Sequence, residues 1–184
     1  MNAPQRSGLA AAIAALCLAT AAPVFANPMV GGAPMYATKT IVENAVNSKD
    51  HTTLVAAVKA AGLVDTLNSA GPFTVFAPTD AAFAKLPAGT VETLVKPENK
   101  DTLTRILTYH VVAGRFTAKD ILALIRKGGG TATLTTVQGE PLTASLSGKS
   151  VILTDAKGGT STVTIANVMQ SNGVIHVVDT VLMP

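Results

Sequence analysis

The chain has 184 residues, of which 48% are hydrophobic, 14% are charged and 4% are aromatic. That length fits one ordinary domain with a sizeable core, and the low charge among plentiful aliphatic residues excludes intrinsic disorder. A single Cys excludes a disulfide scaffold, and a net charge of +3 without any Trp excludes the basic stripe and aromatic platforms of a nucleic-acid binder.

Residues 1–26 are typical of a secretory signal peptide. Arg6 supplies the positive start, an uncharged run covers residues 9–19, and Val24 and Ala26 are small residues at the positions that a signal peptidase reads. The apolar run is too short and too rich in Ala for a membrane span, so a retained anchor is the weaker alternative. We expect cleavage after Ala26.

The only Cys, Cys17, lies inside this apolar run and follows Leu16, where a lipid-attachment site requires a small residue. A lipoprotein is therefore disfavoured, and cleavage leaves a chain without thiols. We expect a soluble periplasmic or secreted protein with no stable membrane insertion.

Residues 27–37 contain two Pro and a Gly pair but little periodicity, which predicts a flexible leader. From residue 38 onward, apolar residues recur at helical spacing. The pattern predicts helices over residues 40–48 and 50–67, with Asp50 as the cap of the second helix and Gly62 as an interruption.

A short strand is predicted at residues 73–77, and Thr79 or Asp80 is expected to cap the helix that follows it. Further helical turns are predicted up to residue 107, and residues 109–112 are expected to be extended. Thr117 and Asp120 have the spacing of a capping box that starts another helix.

After residue 130 the sequence changes to short segments rich in Thr, Val and Ile, separated by Gly and by Asn172-Gly173. This texture predicts antiparallel strands and hairpins, with a positive φ in the Asn172-Gly173 turn. The whole pattern predicts a single α+β domain with helices first and strands last.

The three His residues do not have the spacing of a metal site. His51 is expected to be exposed near a helix start, His110 to be a hydrogen-bonded structural residue, and His176 to be a partly buried or edge residue of an apolar strand. No nucleophile elbow, carboxylate pair, phosphate-binding loop or EF-hand loop occurs in the sequence. The sequence therefore predicts neither enzymatic activity nor a cofactor or metal.

Two segments resemble the two conserved boxes of the fasciclin domain family: residues 71–83, GPFTVFAPTDAAF, and residues 171–184, SNGVIHVVDTVLMP. Tyr109-His110-Val111-Val112 is similar to the Tyr-His segment of that family, and residues 40–67 are similar to its opening helices. The resemblance covers residues 38–184 and implies a wedge of two β-sheets with helices packed along them.

The resemblance also implies a non-catalytic extracellular role in cell adhesion or protein–protein interaction. In animal members, integrin binding is tied to the Tyr-His segment and to an Asp-Ile pair before the second box. This chain keeps Tyr109 and His110, but Asn167 and Val168 stand where the Asp-Ile pair would be. The expected partner is an extracellular or cell-surface protein of unspecified identity.

Two alternatives remain at this point. Some fasciclin-type proteins bind carotenoids, so a carrier of a hydrophobic small molecule is the second hypothesis, although the sequence does not show a pocket. A hydrolase with an unrecognised site is the third and weakest. The boxes are also expected to hold the fold, with Tyr109 and His110 largely buried.

Overall fold

The structure, a computed structural model, describes residues 27–184, and the predicted signal peptide lies outside the described residues. Helices lie mainly in the first two thirds of this range: α1 (Ile41–Ala45), α2 (Thr52–Ala61), α3 (Val64–Asn68), α4 (Asp80–Ala84), α5 (Thr90–Leu94), a 3-10 turn (Pro97–Asn99), α6 (Lys100–Tyr109) and α7 (Ala118–Lys127).

Most strands lie late in the chain, as the short segments rich in Thr, Val and Ile after residue 130 predicted. They are β1 (Met29–Val30), β2 (Ala33–Pro34), β3 (Phe73–Pro78), β4 (Val111–Ala113), β5 (Thr131–Thr135), β6 (Pro141–Ser147), β7 (Ser150–Thr154), β8 (Thr160–Gln170) and β9 (Gly173–Val178). All the neighbouring pairs of β3 to β9 are antiparallel except β3 with β9, which run parallel.

The main sheet has the strand order β4-β3-β9-β8-β7-β6-β5, and β8 bends it into two arms. Residues 160–162 of β8 pair with β7, whereas residues 163–170 pair with β9 through two register shifts. Such shifts are β-bulges, which kink a strand and increase its twist. A bridge between Val112 and Thr136 brings the two ends of the sheet together. The α+β wedge implied by the resemblance is confirmed.

Two hydrophobic clusters fill the wedge. The first lies between the arm that contains β3 and β9 and the layer formed by α1, α2, α3 and α6. The second lies inside the strand-rich arm, where Ile121 and Ile125 of α7 pack with Leu134, Leu142 and Leu153. The strict alternation of buried and exposed residues in β5 explains why one face of that arm is apolar.

Several helices start at the caps that the sequence predicted. Thr117 and Asp120 form the expected reciprocal capping box of α7, and Thr79 accepts a hydrogen bond from the Ala82 N–H at the start of α4. The cap of α2 differs from the prediction. Asp50 does not cap it; the carboxylate of Asp80 accepts hydrogen bonds from the backbone N–H groups of Thr52 and Thr53 instead.

The segment over residues 27–37 differs from the flexible leader that the sequence predicts. Strands β1 and β2 form a small hairpin, and its Val30 and Met35 are buried in the first cluster. Gly31 allows this close packing, because a Cβ there would collide with the Ser48 hydroxyl and the backbone of residues 49 and 50. The packing of Val30 and Met35 was missed because an isolated apolar residue gives no periodic signal.

The turn between β8 and β9 was predicted correctly in place but not in conformation. No positive φ occurs at Asn172 or Gly173, and Asn167 is the one non-glycine residue with a positive φ, 60°, among residues 27–184. Gly173 is required for a different reason: a Cβ there would collide with the carbonyl group of Phe73 on the parallel neighbour strand.

The side chain of Asn172 joins this turn to the ends of two helices. Its Oδ1 accepts a hydrogen bond from the Ile41 N–H at the start of α1, at 3.1 Å. Its Nδ2 donates to the carbonyl oxygens of Leu67 and Ser69 at the end of α3, at 2.6 and 3.2 Å. The second fasciclin-like box therefore fastens the helical layer to the sheet.

We expect Asn172→Ala to lower the free energy of unfolding by more than ~3 kcal/mol. It leaves several partly or fully buried backbone groups unpaired, and each such group costs ~1–3 kcal/mol. Urea denaturation measures the loss. Asn47→Ala is the matched control, because Asn47 is exposed and its side chain donates only to the Glu43 carbonyl. Equal stability of the two variants would contradict a fastening role for Asn172.

Candidate functional site

Tyr109 and His110 lie at the end of α6, not in an extended segment. Tyr109 is the last helical residue, His110 follows it with an αR backbone, and the strand begins only at Val111. The helix therefore ends two residues later than residue 107, the predicted end, and the His110 N–H donates a hydrogen bond to the Leu107 carbonyl.

The Tyr109 hydroxyl bridges two segments of the strand-rich arm. It donates to the Pro141 carbonyl at 3.0 Å and accepts from the Ala156 N–H at 3.1 Å. The side chain is fully buried, and burial raises the pKa of its hydroxyl. Tyr109 therefore holds the fold and offers no surface to a partner.

His110 connects α6 to the C-terminal segment. Its Nδ1 donates to the Ile106 carbonyl at 2.8 Å, which leaves Nε2 to accept the Leu182 N–H at 3.0 Å. Both ring nitrogens are satisfied in the neutral imidazole. Complete burial lowers the pKa of His110 from 6.5 to about 4. His110 is a hydrogen-bonded structural residue, as the sequence predicted.

His176 is more deeply buried than the partly buried or edge position predicted for it. It lies on β9, which has β3 on one side and β8 on the other, and it is 1% exposed. Its Nε2 donates to the Phe116 carbonyl at 2.8 Å, its Nδ1 faces the Asn167 N–H at 3.4 Å, and its ring stacks on Phe76. Burial lowers the pKa of His176.

Asn167 is the exposed member of this group. It lies in the bulged part of β8 with a left-handed backbone, a conformation that Asn tolerates better than most residues. Its Oδ1 accepts the Ala118 N–H at the start of α7, at 2.7 Å. The next residue, Val168, is fully buried. Of the five candidate residues, Asn167 alone is accessible to a macromolecular partner.

His51 is buried, whereas its position near a helix start predicted exposure to solvent. It is 3% exposed, and its Nδ1 lies 2.8 Å from the Ser48 hydroxyl. Its Nε2 is buried without a hydrogen-bond partner among residues 27–184. In the sequence, only the three-residue spacing between Ser48 and His51 indicates that the two side chains can form a hydrogen bond. Burial lowers the pKa of His51, against smaller opposing effects of the Ala77 backbone and of Asp50 and Asp80.

An apolar crevice lies between the helices α1 to α3 and the sheet. Its cavity volume is about 50 Å³, and part of the space around it is open to solvent. Strands β3, β8 and β9 form its floor, and the β1-β2 hairpin contributes Val30 and Met35. Ser48, His51, Lys59 and His110 are the polar residues of its lining.

Within residues 27–184, no group of three His, Cys, Asp or Glu side chains is placed to hold a metal ion. Nor does any helix in this part of the chain have the length and hydropathy needed to cross a membrane.

The bent sheet, the helical layer along one arm and the two boxes that cap the helices define a wedge-shaped α+β domain of the fasciclin class. The chain belongs to the Fasciclin domain family, whose model matches residues 49–184.

Two relatives and one solved structure show the range of this similarity. Protein sll1483 of Synechocystis sp. is 52% identical over 79% of this chain and 73% of its own length. The immunogenic protein MPB70 of Mycobacterium bovis is 37% identical over 95% of this chain and 92% of its own length.

The solved structure is a FAS1 domain pair from the insect cell adhesion molecule Fasciclin I, with a TM-score of 0.70 and 20% identity. The match covers 79% of this chain and 51% of that structure, so the chain spans about half the length of the domain pair. This likeness shows the fold.

We expect stability to fall as the pH is lowered from 7 to 5. The unfolded His110 takes up a proton near pH 6.5, whereas the folded one resists it down to about pH 4, so acid favours the unfolded state. His110 alone should cost ~2 kcal/mol over this interval. His51 and His176, whose pKa values are also lowered, act in the same direction.

Urea denaturation at pH 7, 6 and 5 measures this loss, and an NMR titration of the imidazole protons locates it. The His110 resonance should not titrate above pH 5. An unfolding free energy that is constant between pH 7 and 5 would contradict the assignment of His110 as a neutral buried residue.

Proposed function

We propose that this fasciclin-domain protein is a secreted or periplasmic, non-catalytic binding module that mediates cell-surface adhesion or protein–protein interaction. Its family membership supports this proposal, as does the fold it shares with an insect cell adhesion molecule. The buried and fully bonded state of Tyr109, His110 and His176 also supports it, since these groups are not available for acid–base chemistry.

The observation that carries the proposal is the exposed bulge of β8, residues 164–167. All four residues are exposed, and Ile165 is one of the few large hydrophobic side chains exposed at the surface. Arg115 and Lys119 are exposed nearby. They flank Ala118, whose N–H donates a hydrogen bond to Asn167 Oδ1. A bulge with an exposed apolar side chain and cationic neighbours suits contact with another protein.

Asn167 stands where animal members carry an acidic residue, so the parent protein is not expected to make an integrin-type contact. Asn167→Asp restores that carboxylate without breaking the fold, because an Asp oxygen can accept the same Ala118 N–H. A negative charge at the start of α7 is also favourable to the helix dipole.

We expect Asn167→Asp to gain binding to integrin-bearing cells that the parent lacks, measured by adhesion of cells to immobilised protein. Asn47→Asp makes the same charge change at an exposed position two residues after α1 and should gain nothing. Equal adhesion to the parent and to Asn167→Asp would mean that the position has no such role here. In that case, cross-linking with host-cell surface proteins tests whether the protein binds a cell-surface partner by another contact.

A second function is supported by the crevice under α1 to α3, which favours a carrier of a hydrophobic small molecule such as a carotenoid. The lining is almost wholly aliphatic, and burial of apolar ligand surface in such a site is favourable. Protein purified from its native host should then release an apolar compound into organic solvent, and a carotenoid would give it visible absorption. A colourless protein with an empty extract would contradict the carrier function.

A further inference from the structure

Three exposed cationic side chains lie around the last part of β8 and form what we call the cationic face: Lys39, Arg115 and Lys119. Lys39 and Arg115 both contact the residue that ends this strand. The Ser171 N–H donates to the Lys39 carbonyl at 2.9 Å, and the Arg115 guanidinium donates to the Ser171 carbonyl at 3.4 Å. Lys119 lies in the first turn of α7, beside the backbone N–H that Asn167 Oδ1 accepts.

The positive charge of this face is not neutralised within the protein. The two ion pairs found among residues 27–184 involve none of the three cations. Capping-box hydrogen bonds, and to a smaller extent Lys39 and Lys119, lower the pKa of the Glu43 and Asp120 carboxyls. Both carboxylates are therefore charged but already bound at the starts of their own helices. With three cations and two carboxylates, these groups leave a net positive charge open to a partner.

An apolar side chain stands beside the cations. Ile165 is 36% exposed, and Thr164, Ala166 and Asn167 next to it are exposed and uncharged. Complementary charge selects the partner of a surface and speeds its association, while apolar contact contributes binding energy. An acidic polypeptide brings carboxylates and apolar side chains together, whereas an anionic polysaccharide gains nothing from an isoleucine.

The distance along β8 indicates the size of the matching segment. Lys39 and Arg115 meet the strand at Ser171, whereas Lys119 lies next to Asn167. Four residues of strand at about 3.3 Å each separate these two points by about 13 Å. An extended polypeptide of about five residues has this length, with room for an acidic side chain at each end.

We propose that the cationic face binds an extended acidic segment of a partner protein, whose carboxylates pair with the three cations and whose apolar side chain packs on Ile165. This inference rests on the binding-module function proposed above and adds the chemistry of the partner. Each exposed ion pair is weak, so several of them with one apolar contact give a selective and salt-sensitive interaction.

The test titrates the protein with a soluble copolymer of Glu and Tyr at low salt, followed by ¹H–¹⁵N NMR. Arg115→Gln and Lys119→Gln should each weaken binding about 2- to 5-fold, as the loss of one exposed ion pair does. Asn167→Asp should also weaken it, because it puts a carboxylate among the cations. Lys157→Gln is the matched control, since Lys157 is exposed in the turn at the other end of β8 and should change nothing.

Three further anions test the class of partner: polyglutamate, hyaluronan, and vesicles of phosphatidylcholine with phosphatidylserine. The copolymer should bind more tightly than polyglutamate, and Ile165→Thr should remove that preference. Hyaluronan and the vesicles, which carry anionic groups without a polypeptide, should bind more weakly than the copolymer.

Equal losses in Arg115→Gln and Lys157→Gln would overturn the inference, because net charge alone would then explain binding. Tighter binding of hyaluronan or of the vesicles than of the copolymer would also overturn it. So would a wild type that binds no copolymer but still cross-links to a host-cell surface protein, and in that case the binding module would stand. Absence of both copolymer binding and a cross-linked partner would overturn both.

Discussion

The helical layer of this domain depends on side chains that the sheet and its neighbouring loops supply to helix ends. Helices α1 and α3 have five residues each, which is far too short for stability in isolation. Asn172 holds the start of α1 and the end of α3, and Asp80 holds the start of α2. Both residues belong to the boxes that resemble the fasciclin family, so these boxes act first as connections between helices and sheet.

These hydrogen bonds at the helix ends also explain how an apolar crevice can exist between the helices and the sheet. The helices are fixed to the sheet by hydrogen bonds at their ends, so their middle parts need not pack fully against β3 and β9. Asn44 adds a bond from α1 to Gln170 on β8. The crevice lies between these attachment points. Its walls are held in place without a ligand, which lowers the entropic cost of binding one.

The parts of the fold that depend on local patterns could be predicted from the sequence. Thr117 and Asp120 are three residues apart, and the cap they form needs nothing else. The positions that were missed depend on distant partners. Asp80 displaced Asp50 as the cap of α2 from 27 or 28 residues away, and His51 is buried by strands and a hairpin that local spacing does not reveal. The burial of Tyr109 and His110 was predicted from the sequence, whereas the full burial of His176 depends on its place between β3 and β8 in the sheet.

Strand β8 connects the two candidate functions because neighbouring residues of it belong to the bulge and to the crevice. Asn167 is exposed on the bulge, and Val168 beside it is part of the crevice wall. Asn167 also contacts the start of α7 and the ring of His176, so the bulge is held from both sides. A partner at the bulge would contact Asn167, and a ligand in the crevice would contact Val168, the next residue of the same strand. Because different residues of β8 belong to the two sites, adhesion and ligand carriage are compatible in this domain.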